Sequence, residues 1–444
     1  MAGVFLFEPS YFCQMHISEL YKIYKQFPSI QTDTRRLKPD DLFFALKGNN
    51  FNGNHFAKQA LESGASYVII DEKERIDTGT ALSEKTILVD DVLTTLQELA
   101  AYHRAQFKIP FLAITGSNGK TTTKELIHAV LSTSYKTYTT EGNLNNHIGV
   151  PLTILKIMED AEIAVIEMGA NHIEEIASYC RIALPTHGII TNCGKAHLEG
   201  FGGTEGVKKG KGELYDHLRN NEGTAFVMWD YEYLQLMSKG IHEIISYGTS
   251  NAFVEGEVVS CNPLLEIKIK KPGEPAILKT QLAGEYNFPN LLAAVAVGKY
   301  FKVADEKFKK AIEHYVPSDN RSQMIRKGSN IIFLDAYNAN PSSMTAAIQN
   351  FAKLKNENKV LMLGAMAELG EDSLNEHQSI IDLVKKYHWN EVVLVGGDFM
   401  KVDHPFRKFE TATQAKQWFA KQDFQKTCFL IKGSRSIRME EILD

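Results

Sequence analysis

Several short runs in this chain are apolar at every position, not at alternate ones. Phe111-Leu-Ala-Ile114, Ile163-Ala-Val-Ile166, Gly188-Ile-Ile190 and Ala225-Phe-Val227 make one group. Ile331-Ile-Phe-Leu334, Val360-Leu-Met-Leu363, Val392-Val-Leu-Val395 and Cys428-Phe-Leu-Ile431 make another. A strand that is apolar on both faces must be covered on both faces, which a parallel sheet flanked by helices achieves. Stretches with helical periodicity lie between the runs. Val92 to Phe107 reads as a helix, and Thr121 to Leu131 places Leu126, Ile127, Val130 and Leu131 on one face. Met344 to Leu354 reads the same way. This alternation predicts an α/β fold with a doubly wound core followed by a second, Rossmann-like unit.

The chain ahead of residue 90 has another texture. Asp41-Leu-Phe-Phe-Ala-Leu46 and Ser66-Tyr-Val-Ile-Ile70 are β-type runs, with turn residues at Gly48-Asn-Asn-Phe-Asn-Gly53 between them. We expect three domains: a small N-terminal α/β module over 1–89, a central doubly wound domain over 90–314, and a C-terminal Rossmann-like domain over 315–444. The length of 444 residues agrees, at roughly 100–200 residues per domain.

Composition narrows the function. Hydrophobic residues make up 44% and charged residues 23%, which excludes a mainly disordered chain. Net charge is −5, so nothing global draws the chain to nucleic acid or to an anionic membrane. Asn290 to Gly298 is a long charge-free apolar stretch, far below the ~20 residues that span a bilayer. The segment MAGVFLFEPS has no basic run before its apolar residues, so we expect no secretory leader. The five cysteines, Cys13, Cys180, Cys193, Cys261 and Cys428, are scattered and never form a CxxC pair. That pattern predicts neither disulfides nor zinc, and a cytoplasmic setting.

The sharpest chemical signal is Thr115-Gly-Ser-Asn-Gly-Lys-Thr-Thr122, between an apolar run and a helical stretch. Glycines there turn backbone amides toward phosphate oxygens, and the helix N-terminus adds partial positive charge. Gly116, Ser117, Asn118, Gly119 and Thr122 would cradle the phosphates. Lys120 would reach the β- and γ-phosphates and the Thr121 hydroxyl would ligate Mg²⁺. Ile114 stands where the common motif has its first glycine. The bland reading is a surface turn that starts a helix.

Other residues are weaker alone. Glu167 ends an apolar run, where it is either a solvated acid or a Walker-B-type Mg²⁺ ligand. His197 is either a metal ligand or a satisfied buried histidine, and the bland choice is favoured. Lys208-Lys-Gly-Lys211 is most simply a solvated basic stretch, or else an anion site. Gly142-Asn-Leu-Asn-Asn-His-Ile-Gly-Val-Pro151 is amide-rich, which suits sugar or peptide ligands and also turns. In Asp335-Ala-Tyr-Asn-Ala-Asn-Pro-Ser342, Asn340 or Ser342 reads as a helix cap before or around Pro341. Asp335 could accept hydrogen bonds from a ribose.

Taken in order, these segments resemble the Mur ligases, the ATP-dependent amide-forming enzymes of peptidoglycan precursor synthesis. The resemblance covers essentially the whole chain. It implies that Lys120, Glu167, His197 and Lys211 are catalytic, with Thr121, Glu167, His197 and Lys211 around two Mg²⁺ ions. Lys211 matches a lysine that is carbamylated in related ligases. Gly284-Glu-Tyr-Asn-Phe-Pro-Asn290 matches the GxxNxxN segment, which puts Asn287 near adenine. Arg321 and Asp335 match C-terminal residues that contact ATP on domain closure. Asp33-Thr-Arg35 resembles the motif that receives the UDP-sugar, so Thr34 and Arg35 are implied substrate contacts.

Asn143-Leu-Asn-Asn-His-Ile-Gly-Val-Pro151, Asp335 to Met344 and Leu363-Gly-Ala-Met-Ala-Glu-Leu-Gly370 resemble the branch that adds D-Ala-D-Ala to UDP-MurNAc-tripeptide. That implies substrate contacts at Asn143, Asn145, Asn146, Asn338 and Asn340. The Asp-Asn-Pro-Arg motif of the diaminopimelate-adding branch is absent. Ala365 and His147 stand where acids are common, and Asn52-Gly-Asn54 replaces Asp-Gly-His. The implied reaction runs through an acyl phosphate, in a monomer that needs neither nucleic acid nor a membrane. The rival readings are another amide ligase of this scaffold, including the third-residue-adding enzyme and a folylpolyglutamate synthetase, and a nucleotide-binding switch without catalysis.

Overall fold

The fully apolar runs are strands, and each pairs in parallel with at least one neighbour. The computed structural model describes residues 15–73 and 83–443; Cys13 and the MAGVFLFEPS segment lie outside them. Two compact units result. The first runs to Lys108 and takes in Glu141–Glu159 and Arg181–Leu184. The second holds the remainder and carries both large sheets.

The larger sheet has nine strands. Its parallel part runs Thr137–Thr139, Ile163–Glu167, Phe111–Thr115, His187–Ile190, Thr224–Met228, Glu243–Gly248 in spatial order. Phe111–Thr115 and Ile163–Glu167 are buried at every position, as their apolar pattern requires. The sheet continues through Val254–Cys261, Leu264–Lys271 and Ala276–Ala283, and these last pairings are antiparallel. This ribbon was not among the sequence expectations. Its middle strand alternates half-buried with buried residues, so one face stays wet.

Two helices matter most for the site. Lys120–Leu131 starts directly after the glycine loop and buries Leu126, Ile127, Val130 and Leu131, the face expected from their spacing. Phe288–Tyr300 contains the long apolar stretch and buries every residue from Asn290 to Gly298. A helix that is apolar all round belongs in an interior, which is where this one packs.

The six-stranded sheet of the same unit has the order Gln323–Lys327, Asn330–Asp335, Cys428–Lys432, Lys359–Gly364, Glu391–Val395, Arg407–Phe409. The first pair is antiparallel and the rest are parallel. Ile332, Leu334, Val360, Met362, Val393, Phe429 and Ile431 form its core.

In the first unit, Ile30–Gln31, Leu42–Phe44, Tyr67–Ile70 and Thr86–Leu88 form a parallel sheet over Phe43, Ala57, Ala60, Val68 and Ile70. The helix Val92–Arg104 ties in the outlying segments. Nε2 of His103 lies 2.8 Å from the Ile157 carbonyl, and Nε of Arg104 donates to the Ala183 carbonyl at 2.7 Å. The Tyr24 hydroxyl donates to the Leu155 carbonyl at 2.5 Å.

Candidate active site

Phe111–Thr115 is the strand where the larger sheet reverses direction. The chain leaves it for Thr137–Thr139 and Ile163–Glu167 on one side, then crosses to His187–Ile190 on the other. Connections that diverge at carboxyl ends leave a crevice, the usual ligand site of an open α/β sheet. The loop from Gly116 to Gly119 fills that position.

The loop is held by its neighbours across the crevice. The Ser117 amide donates to the Asn192 carbonyl at 2.8 Å, and the Ser117 hydroxyl to the Gly194 carbonyl at 2.8 Å. The Asn118 amide donates to Oδ1 of Asn192 at 3.1 Å. In return the Asn118 carbonyl accepts from Thr191 Oγ1 at 2.6 Å and Asn192 Nδ2 at 3.0 Å. Only glycine fits two of the positions. Gly116 has φ +139° and a Cβ there would lie 2.0 Å from Thr191 Oγ1; Gly119 has φ +79° and its Cβ would lie 2.6 Å from Asn290 Oδ1.

Behind the loop sits a charged cluster. Lys120 Nζ donates to the Gly116 carbonyl at 2.6 Å and lies 3.3 Å from that of Ser117. Burial draws its pKa below the usual lysine range, Glu167 opposes the shift, and Arg321 adds to it. Thr121 donates from Oγ1 to Glu167 Oε1 at 3.1 Å. Glu167 is 1% exposed, so the carboxylate at this strand end is not a solvated acid. Its amide donates to Thr140 Oγ1, and the Thr140 carbonyl accepts from the buried Lys124. Thr122 follows in the first turn of the helix, half-buried.

The three lysines of the basic stretch separate by helical phase on Thr204–Asn220. Lys208 pairs with Glu205 and Lys209 is exposed, as the bland reading expects. Lys211 is 1% exposed, lies under the Phe201 ring, and donates from Nζ to the Ala170 carbonyl at 2.8 Å. Burial pushes its pKa far below the normal range, and the Lys120 charge pushes the same way. His197 places Nδ1 2.5 Å from Glu368 Oε2, which holds the Glu368 carboxyl below its usual pKa.

The six-stranded sheet presents a second cluster. Asp335 and Lys432 are direct strand neighbours, with Nζ 2.6 Å from Oδ2. The same ammonium reaches the Asn338 carbonyl at 3.2 Å, and the Ser322 amide donates to Asp335 Oδ1 at 3.1 Å. The Arg321 guanidinium lies 3.4 Å over the Tyr337 ring, and that of Arg435 lies 4.9 Å from its centre. Asn338 accepts from the Ala339 amide. Asn340 caps the helix Pro341–Lys353, and its Nδ2 donates to Asn118 Oδ1 at 2.8 Å. Asn287 is 2% exposed inside an amide chain: its Oδ1 accepts from Asn290, and its Nδ2 donates to the Ala283 carbonyl.

The remaining sequence-derived residues lie in the first unit. Thr34 and Arg35 open a short 3₁₀ turn capped by Asp33, whose carboxylate holds Arg35 by Nε and Nη2 and has its pKa lowered to about 2 by that contact. Asn146 Oδ1 accepts from the amides of Ile148 and Gly149, just ahead of and at the first residue of the helix Gly149–Ile154. The Asn145 amide donates to the Asn143 carbonyl.

Family comparisons agree with this geometry. Residues 26–104, 114–298 and 320–435 match the family models described as "Mur ligase family, catalytic domain", "Mur ligase middle domain" and "Mur ligase, glutamate ligase domain". A UDP-N-acetylmuramoyl-tripeptide--D-alanyl-D-alanine ligase of Bacillus subtilis is 35% identical, covering 93% of this chain and 92% of that protein. The chain belongs to the Mur ligase family. A MurF structure from Acinetobacter baumannii superposes with TM-score 0.84 at 31% identity, covering 94% of this Mur ligase and 92% of that chain. A MurF from Thermotoga maritima, in complex with ADP, superposes with TM-score 0.83 at 25% identity over 94% and 96% of the two chains.

Several members of this Mur ligase site were given no role from the sequence. Lys432 and Lys124 lie outside the chemical motifs singled out there. Asn192, in the stretch that leads to His197, and Glu368, inside Leu363 to Gly370, gain a part only from their partners in space, the phosphate loop and His197. For Lys432 the available signal was its place at the end of the apolar run Cys428–Ile431, since a charge ending a buried strand is seldom idle. Among the described residues, no three His, Cys, Asp or Glu side chains form a metal cage. Mg²⁺ needs none: one or two carboxylates, a hydroxyl, water and substrate phosphates suffice. Thr121 and Glu167, two hard oxygen donors 3.1 Å apart, fit that requirement in this Mur ligase.

Proposed function

We propose that this Mur ligase joins D-Ala-D-Ala to UDP-MurNAc-tripeptide, with ATP converted to ADP and phosphate, in the synthesis of a peptidoglycan precursor. The observation that carries this reading is the near-full-length match to a ligase of that name, 35% identical over 93% of this chain. The phosphate loop at the reversal point of the sheet supplies the matching chemistry.

A carboxylate and a γ-phosphate repel each other, so phosphoryl transfer between them needs cations placed in advance. The loop amides of Gly116 to Gly119 and the N-terminus of Lys120–Leu131 hold the ATP phosphates. Lys120 neutralises the γ-phosphate. Thr121 and Glu167 would hold Mg²⁺, and His197 and Lys211 would hold a second ion. The metal spreads the developing phosphate charge. Burial pushes Lys211 toward its neutral amine, the form that would add CO₂ to give a carbamate and a released proton; that carbamate would give a second ion a carboxylate ligand. Asn287 borders adenine, and Arg321 and Asp335 face the nucleotide.

On the substrate side, Thr34 and Arg35 receive the UDP-sugar, and Asn143, Asn145, Asn146 and Asn338 contact the peptides. The amine of D-Ala-D-Ala attacks the acyl phosphate and phosphate leaves; water must be kept out until then. We place the enzyme in the cytoplasm as a monomer with three domains divided near residues 89 and 314. Cys193, Cys261 and Cys428 are free thiols, which suits a reducing compartment.

The test is phosphate release with ATP, Mg²⁺ and UDP-MurNAc-tripeptide, with and without D-Ala-D-Ala. Release that needs both substrates, with the pentapeptide mass, is expected; running diaminopimelate and lysine tripeptides side by side identifies the third residue. Lys120→Ala is the control and loses roughly 100-fold or more in kcat. Folded wild-type protein that binds ATP and ligates neither tripeptide would sink the reading.

A further inference from the structure

Resting on the ligase reading, we propose that Asn340 is a positioning residue that fixes the phosphate loop through Asn118, rather than a contact for D-Ala-D-Ala. The orientation of its amide is set by its own helix. Asn340 Oδ1 accepts from the Ser343 amide at 2.9 Å, in a reciprocal capping box where the Ser343 hydroxyl reaches back to Asn340. Nδ2 must then face the other way, and there it donates to Asn118 Oδ1 at 2.8 Å. The Asn118 backbone is already gripped by Thr191 and Asn192, so its side chain is the part of this residue left to hold a further partner.

Neighbouring contacts tie the same helix, and the helix Ser373–Val384, to the other loop at the crevice. The Lys195 amide donates to Ser342 Oγ at 2.8 Å, one residue into the capped helix. Lys195 Nζ lies 2.5 Å from Glu376, whose side chain is 13% exposed. The start of the helix Pro341–Lys353 thus rests on both loops that border the crevice, the one from Gly116 to Gly119 and the one after His187–Ile190. A substrate amide that claimed Asn340 would have to displace the cap or the Asn118 bond. The acceptor and one of the two donor hydrogens are in use.

Two substitutions separate this role from capping and from substrate contact. Asn340→Ser keeps a good cap but is too short to reach Asn118. Asn118→Ala removes the acceptor and leaves the cap untouched, so it reads the contact even if Asn340→Ser loses stability. Hydrogen exchange of the amides from Gly116 to Thr121 in the full chain, without ligands, should rise roughly three- to tenfold in each variant, about one hydrogen bond's worth. The double variant should exchange no faster than either single. In turnover, kcat should fall by a similar factor in all three, while KM for D-Ala-D-Ala stays within about twofold. A raised KM for D-Ala-D-Ala in Asn340→Ser that Asn118→Ala does not share would overturn the proposal. So would additive effects on exchange. The exchange measurement needs no ligation, so it stands even if the wild-type protein ligates nothing.

Discussion

Lys432 and Asp335 face each other on adjacent parallel strands, Nζ to Oδ2 at 2.6 Å, with the lysine side chain 3% exposed. The pair ties the last strand of the six-stranded sheet to the acid that faces the nucleotide in the proposed mechanism. Breaking a buried pair from one side leaves a charge without its partner, at a cost of about 3–5 kcal/mol. Lys432→Met should lose about 3 kcal/mol by chemical denaturation. Adding Asp335→Asn should recover part of that loss, because the two sites are coupled. Additive losses would show that the pair is not a unit.

Glu167→Gln tests the carboxylate behind the phosphate loop. The substitution keeps an oxygen for Thr121 and removes a charge that is 1% exposed. Thermal stability should hold or rise, since an ion no longer has to be buried. Turnover should fall about 100-fold, and the Mg²⁺ concentration for half-maximal rate should rise about tenfold. An unchanged Mg²⁺ titration would remove Glu167 from the metal site.

Gly119→Ala should damage the loop more than the fold. The residue sits at φ +79°, and the added methyl would meet Asn290 Oδ1 at 2.6 Å, the atom that accepts from Thr123. The left-handed backbone alone costs about 1–2 kcal/mol for a side-chain residue. Denaturation should register a loss of that size, with KM for ATP up about tenfold. A variant with wild-type KM would show that the loop tolerates rearrangement.

His187 predicts an acid-side loss of stability. Its ring packs against Phe226, Tyr300 and Phe301, and burial pushes its pKa down to about 4, with Glu243 opposing. An unfolded histidine takes its proton near 6.5, so between those values the unfolded state binds more protons. Stability from this site is complete above about pH 6.5 and falls as pH drops toward 4, by at most about 3 kcal/mol. His187→Phe should flatten that slope in a pH series of denaturation curves. An identical slope in the variant would assign it to other groups.

The parallel strands were legible because burial on both faces demands a run without polar residues, as in Phe111–Thr115 and Ile163–Glu167. The phosphate loop was legible because Gly116 and Gly119 have steric duties that no other residue performs. The ribbon from Val254 to Ala283 was not, because its lysines and glutamates mask a period of two in strands with one wet face. Lys432 escaped for a different reason: its partner Asp335 is 97 residues away, and only the strand register joins them. The same holds for Asn118 and Asn340, each readable alone as a ligand contact and joined only in space.

The strand Cys428–Lys432 lies between Asn330–Asp335 and Lys359–Gly364, although it follows both by many residues. A ribosome makes the chain from its N-terminus, so this strand, in the middle of its sheet, is made after the other five. Until residues 428–432 emerge, the strand bearing Asp335 has no parallel partner and Lys432 does not yet exist to hold the acid. The side of the six-stranded sheet that bears Asp335 is therefore completed only after its five other strands are made, and a nascent chain stalled before Cys428 carries its phosphate loop but lacks the lysine that holds that acid.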